Sequence, residues 1–274
     1  MLITDRIVYI ELQKTGCSHT IKILSALNNK NCKIIGKHNT YDSIPKEDLG
    51  NFESKLKIGN IRNPWDWYVS LWAFGSQKRG GLHHKVTNQY KVKLPTKKRI
   101  KLFIRKKLGL LYPKLDDRIW IELYSDPKNL ENFNSWLKLI LSVGKHDIGE
   151  KYKTSKMASF AGLLTYRYAK LFTYNGKEEV KRIESPTALK AHDKRSNFLD
   201  IVIRNESLHD SILEHTGKMN QNHKQVKDVI AKFKERTNTS IRKLDYRKYY
   251  NDESINLVGK YEKFIIDKYG YSFY

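Results

Sequence analysis

The sequence predicts an α/β fold in which a central parallel sheet is flanked by helices. Short β-rich apolar runs alternate with helical patterns along the first third of the chain. The first run is apolar almost throughout, as a strand buried on both faces must be. The junctions between strands and helices carry glycine or Asn-Pro, so ligands are expected at the carboxyl ends of the strands.

Each element has a local reason. "RIVYIEL" (6–12) is the first strand. Ser18–Asn28 follows as a helix, with Ile21, Leu24 and Leu27 on one face. "CKIIGKH" (32–38) and "KLKIGNI" (55–61) are the next strands, and Asn63-Pro64 ends the second of these. Proline suits a first helical position, so "WDWYVSLWAF" (65–74) reads as a helix. Residues 76–115 hold thirteen Lys/Arg and no Asp or Glu. This stretch reads as a basic insertion, lid or arm, with "KKRIKLFIRKKLGLL" (97–111) as an amphipathic helix. Helices dominate 116–145, with Ile119, Trp120, Phe133, Trp136, Leu137 and Ile140 as core. "SNFLDIVIRNESL" (196–208) is a strand and turn, and "HDSILEHTG" (209–217) a short helix. Residues 218–243 are polar and basic and read as a surface loop or mobile segment. A last helix starts at Asp252-Glu253 and stops at Gly270. With no internal repeat and no clear linker, 1–274 reads as a single domain with an insertion at about 76–115.

Composition narrows the partners. Of 274 residues, 52 are Lys or Arg and 29 Asp or Glu, a formal charge of +23. Such a field favours nucleic acid, acidic polysaccharide, an anionic membrane surface or a phosphorylated cofactor. Cys17 and Cys32 make no disulfide framework, which suggests a reducing compartment. The sequence shows neither a signal pattern nor a membrane-span pattern, so the expectation is a soluble cytoplasmic protein.

Two stretches carry chemistry. "ELQKTGCSHTIKIL" (11–24) leads a strand through a tight turn into a helix. Gly16 admits close backbone approach. The N–H groups from Gly16 to Thr20 then face an anion at a helix N-terminus. Lys14 adds a full charge, and Thr15, Ser18 and Thr20 add hydroxyls. In "IRNPWDWYVS", Arg62 stands at a strand end, placed for bidentate contact with a phosphate. Ser70 follows eight residues later. Two anion sites on neighbouring strand ends suit a ligand with two separated anionic groups.

K-T-G-C-S-H-T (14–20) followed by R-N-P-x-x-x-x-x-S (62–70) resembles the sulfotransferases that use 3′-phosphoadenosine 5′-phosphosulfate (PAPS), most closely the carbohydrate sulfotransferases and their bacterial relatives. "FLDIVIRNESLHDSILEHTG" (198–217) is similar to the family's R-x-E-x-L segment. Residues 238–273 are similar to its N-x-S loop and closing helix. Residues 76–195 carry no such match. Gln13 replaces the usual proline, Cys17 a Thr or Ser, and Asn205 an aromatic residue.

The resemblance implies a P-loop-like sulfotransferase fold. It also implies metal-free, in-line transfer of a sulfuryl group to a hydroxyl or amine, leaving adenosine 3′,5′-bisphosphate. Lys14 through His19 (Lys14, Thr15, Gly16, Cys17, Ser18, His19) would hold the 5′-phosphosulfate, and Arg62 and Ser70 the 3′-phosphate. Ser240 and Arg242 would close over the cofactor. Trp65, Trp67 and Tyr246 are candidates for the adenine wall, with a core role expected for at least one Trp. Lys14 is the catalytic contact to the bridging oxygen. His38 is the expected base, in competition with eight other histidines. His83 and His84 lie near the acceptor or in solvent, and Glu206 is expected to be structural.

The acceptor implied is an acidic or neutral glycan. Neither nucleic-acid motifs nor a zinc spacing stands in the sequence. The alternatives are a basic protein binding nucleic acid or, peripherally, an anionic membrane, and a phosphotransferase on the same fold. The last lacks the Walker lysine.

Overall fold

The computed structural model describes residues 1–28, 32–87, 115–142, 144–234, 242 and 244–274. The chain groups into two compact units. The first comprises Met1–Trp67, Ser155–Thr239 and Val258–Tyr274, and the second Tyr68–Thr154 and Ser240–Leu257.

The first unit is α/β. Its strands are β1 (Leu2–Ile3), β2 (Ile7–Ile10), β3 (Lys33–Ile34), β4 (Leu56–Ile61) and β5 (Ile201–Arg204), in the order β3-β1-β2-β4-β5. The expected parallel sheet is present as β2, β4 and β5, with Tyr9 opposite Ile58 and Ile58 opposite Ile201. The sheet is mixed, because β1 pairs antiparallel with both β2 and β3. Only Thr4, Asp5 and Arg6 separate β1 from β2. A parallel crossover needs a dozen residues or more, so these strands can only form a hairpin. The strand expected over 32–38 shrinks to two residues. Gly36 (φ 105°) and His38 (φ 58°) both leave the extended region.

Both sheet faces are covered. Ile7, Tyr9, Ile58, Ile201 and Ile203 pack with Ile23 and Leu24 of the Cys17–Leu27 helix, Leu208 and Ile212, and Val226 and Val229. The last two belong to a helix, His223–Lys232, where the sequence reading expected loop. Its signals were an Asn222 cap, whose side chain accepts from Gln225 N–H, and a Val226–Val229–Ile230 stripe. On the other face, Phe172 packs so closely on Gly59 that an added Cβ would lie 2.8 Å from its ring. Phe172 ends the Leu163–Phe172 helix, whose leading N–H groups on Leu164 and Thr165 donate to the fully buried Glu262 carboxylate. The expected closing helix divides at this glutamate into Asp252–Tyr261 and Lys263–Tyr269. Gly270 stops it in the left-handed region, φ 64°.

The second unit is helical around an aromatic core. Trp72, Trp120, Phe133, Trp136, Leu137 and Ile140 are fully buried. Each indole N–H has a partner: Trp72 donates to the Leu123 carbonyl, Trp120 to Asp147 and Trp136 to the Tyr124 hydroxyl. Ile119, expected in the core, is 39% exposed. The Asp117–Leu123 helix turns Trp120 and Leu123 inward, which aims Ile119 out. His83, expected near the acceptor or in solvent, is buried, its ring edge-on to Tyr124 at 5.1 Å. The amphipathic helix expected at 97–111 lies outside the described residues. Among the described residues, no helix is long and apolar enough to cross a membrane.

Candidate functional site

The strand β2, the turn 11–16 and the helix Cys17–Leu27 form the expected strand–turn–helix cradle within the first unit. Two residues of the turn have positive φ: Lys14 at 63° and Gly16 at 84°. Gly16 is required twice over. Its φ lies where side chains are strained, and an added Cβ would sit 2.6 Å from Asn205 Oδ1 and 2.9 Å from Leu208 Cδ1. Asn205 is thus the wall that closes the turn.

The helix leaves its leading donors open. Gly16 is the cap and has no side chain, and the His19 and Thr20 N–H groups both donate back to the Gly16 carbonyl. The N–H groups of Cys17 and Ser18 meet no backbone carbonyl among the described residues, although the Ser18 N–H lies against the weakly accepting Cys17 sulfur. These are the orphan donors that an anion satisfies. The hydroxyls divide differently from expectation. Thr15 is fully buried and donates to the Leu12 carbonyl at 2.7 Å. Thr20 accepts from Asn60 Nδ2 at 2.8 Å, and the same amide donates to the Thr15 carbonyl at 2.9 Å. Buried hydroxyls must be satisfied locally, so these two hold the turn's shape. Ser18, half-buried, is the hydroxyl left for a ligand.

Arg62 emerges from β4 directly beside this turn. Its Nη1 donates to the Lys14 carbonyl at 2.9 Å and its Nε to Asp66 Oδ2 at 2.6 Å. The two stretches expected to bind anions therefore meet through a hydrogen bond. The Asp66 pair occupies the Nε edge of the guanidinium and the Lys14 carbonyl takes one Nη1 hydrogen, which leaves Nη2 and the second Nη1 hydrogen. Trp67 also braces the turn. Its fully buried indole donates to the Gln13 carbonyl at 2.6 Å, the core role anticipated for one tryptophan. Trp65 is buried and edge-on to Phe273.

His38 lies at the mouth of the turn, with Nδ1 3.1 Å from the Glu11 carbonyl. Burial, the largest influence, pushes its pKa below the ordinary 6.5. The imidazole is therefore neutral at pH 7 and able to accept a proton. Cys17, at the first helical position, has its thiol pushed up to about 12 by burial and the neighbouring Glu11. It is a protonated thiol at neutral pH and not a nucleophile.

His19 is buried, and its Nε2 lies 2.8 Å from Nε2 of His209, a contact made by the helix after β5. No spacing in the sequence announces this pair, since 190 residues separate its members. Glu206, expected to be structural, accepts from Asn63 N–H at 2.6 Å and from the Tyr271 hydroxyl at 3.3 Å. Asn63 Nδ2 in turn donates to the Ser272 carbonyl, so the Asn-Pro turn is tied to the chain's last residues.

Ser70 is buried on the Pro64–Ser76 helix, in the part assigned to the second unit, and half-buried Arg242 belongs to that unit too. Ser240 lies outside the described residues. The chain matches no protein-family model, no curated protein and no solved structure.

Proposed function

We propose that this protein is a PAPS-dependent sulfotransferase on a P-loop-like sulfotransferase fold, acting on a carbohydrate acceptor. The observation that carries the reading is the Arg62–Lys14 hydrogen bond. It puts an arginine at the tip of β4 against the anion cradle at the tip of β2. A nucleotide with phosphate on both sides of its ribose matches that placement.

The residues present fit such a group at three points. The open Cys17 and Ser18 N–H groups suit the 5′-phosphosulfate. The cation of Lys14 stands on the same turn, and the Nη end of Arg62 suits the 3′-phosphate. When bound, the cofactor supplies an activated sulfuryl group. Lys14 neutralises charge growing on the bridging oxygen, and the helix N-terminus does the same for the phosphate oxygens. Neutral His38 takes the proton from the acceptor hydroxyl. The walls made by Asn205, Leu208 and Trp67 fix the turn, so little reorganisation accompanies reaction. With a formal charge of +23, an acidic glycan is the acceptor class the surface attracts most strongly.

The test is binding of adenosine 3′,5′-bisphosphate. It should raise the melting temperature, with ATP and GTP far less effective. Arg62→Ala should remove most of that shift; an unchanged shift would show that the arginine does not hold the 3′-phosphate.

A further inference from the structure

We propose that Glu11, Cys17 and His38 form a binding site for one soft divalent cation of the zinc type. A carboxylate oxygen, the Cys17 Sγ and an imidazole nitrogen all lie within 4.8 Å of one another. A cation needs modest side-chain adjustment to draw them to bonding distance. Glu11 is fully buried. Its Oε1 accepts from the Met1 ammonium at 2.6 Å, whereas among the described residues Oε2 has no hydrogen-bond partner beyond the adjacent Cys17 thiol. A buried carboxylate oxygen without a partner is costly, and a metal ion satisfies it. His38 is held over the cluster by its contact with the Glu11 carbonyl.

The donor set selects the ion. Sulfur, nitrogen and oxygen together favour zinc or cobalt, whereas magnesium and calcium require oxygen ligands throughout. Three protein ligands leave a coordination position for water, as in an open site and not a closed structural one. On binding, the Cys17 S–H bond breaks, its electron pair goes to the metal and one proton is released to solvent. Neither Glu11 nor His38 loses a proton. An occupied site ties up His38, so the same cation should stop the transfer proposed above. That consequence rests on the sulfotransferase reading; the binding itself does not.

The experiment titrates metal-free protein with Co2+, without nucleotide, and follows the sulfur-to-cobalt charge-transfer band in the near ultraviolet. One equivalent should saturate the band, and Zn2+ should abolish it. Cys17→Ser should lose it, and His38→Gln should weaken Co2+ binding at least about tenfold. Cys32→Ser should leave it unchanged. Absence of a band, its survival in Cys17→Ser, its loss in Cys32→Ser, or unaltered affinity in His38→Gln would each overturn the site. Because no nucleotide is present, those results leave the sulfotransferase reading standing or falling on its own binding test.

Discussion

Replacing Gly16 with alanine tests the architecture of the turn between β2 and the Cys17–Leu27 helix. Two costs act together. An L side chain at φ 84° carries a left-handed penalty of about 1–2 kcal/mol. The new Cβ also meets Asn205 Oδ1 at 2.6 Å and Leu208 Cδ1 at 2.9 Å. Both side chains are buried, at 3% and 1% exposure, so neither yields freely. Overpacking of that kind costs about 1–3 kcal/mol. The combined loss should be about 2–5 kcal/mol, which for a chain of this size lowers Tm by roughly 5–20 °C. Thermal unfolding followed by circular dichroism measures it. Pairing the change with Asn205→Ala removes the oxygen but not the φ penalty. The double variant should therefore be less destabilised than the sum of the single ones, by about 1 kcal/mol. A Gly16→Ala protein with unchanged Tm would refute the left-handed turn, and strict additivity would refute the Asn205 contact.

Three further outcomes follow from the geometry. Trp67→Phe leaves the half-buried Gln13 carbonyl without its donor, which should cost about 1 kcal/mol; denaturant titration reads the loss, and full stability would show that the indole does not brace the turn. His38→Ala should retain nucleotide binding and lose turnover. In the wild type the acid limb of the rate–pH profile should fall below 6.5, because burial lowers the imidazole pKa and the neutral form is the active one; wild-type turnover in the variant removes His38 from the mechanism. For Cys17, the folded thiol titrates near 12 and the unfolded one near 9.0. Between those values the unfolded state has given up its proton and the folded state has not. Its contribution to stability is therefore complete below pH 9.0 and declines as pH rises, by about 1.4 kcal/mol per unit. Cys17→Ala should flatten that decline relative to the wild type, and an identical slope would contradict the buried thiol.

What the sequence made legible was local. The strand–turn–helix at 7–27 is written in an apolar run followed by Lys-Thr-Gly, and β4 with its helix is written in an apolar run followed by Asn-Pro. Both stand where expected, since each depends on neighbours in the chain. The contacts that give the cradle its shape are not local. Asn60 reaches the turn from β4, Trp67 from the following helix, and Asn205 and His209 from the far side of β5. Sequence spacing carries no record of such meetings. The same limit explains the Glu11–Cys17–His38 cluster, because a search for paired cysteines or a His–Cys spacing passes over a glutamate at a strand end. The His223–Lys232 helix was missed for a different reason. Its stripe is only three residues wide amid lysines, so polarity outweighed period.

The most direct measurement is calorimetric titration of the purified chain with adenosine 3′,5′-bisphosphate, beside the same titration with ATP. The account predicts one site per chain for the bisphosphate, much weaker binding of ATP, and loss of binding in Lys14→Ala as well as Arg62→Ala. Equal binding of both nucleotides, or bisphosphate binding indifferent to Lys14 and Arg62 alike, would contradict it.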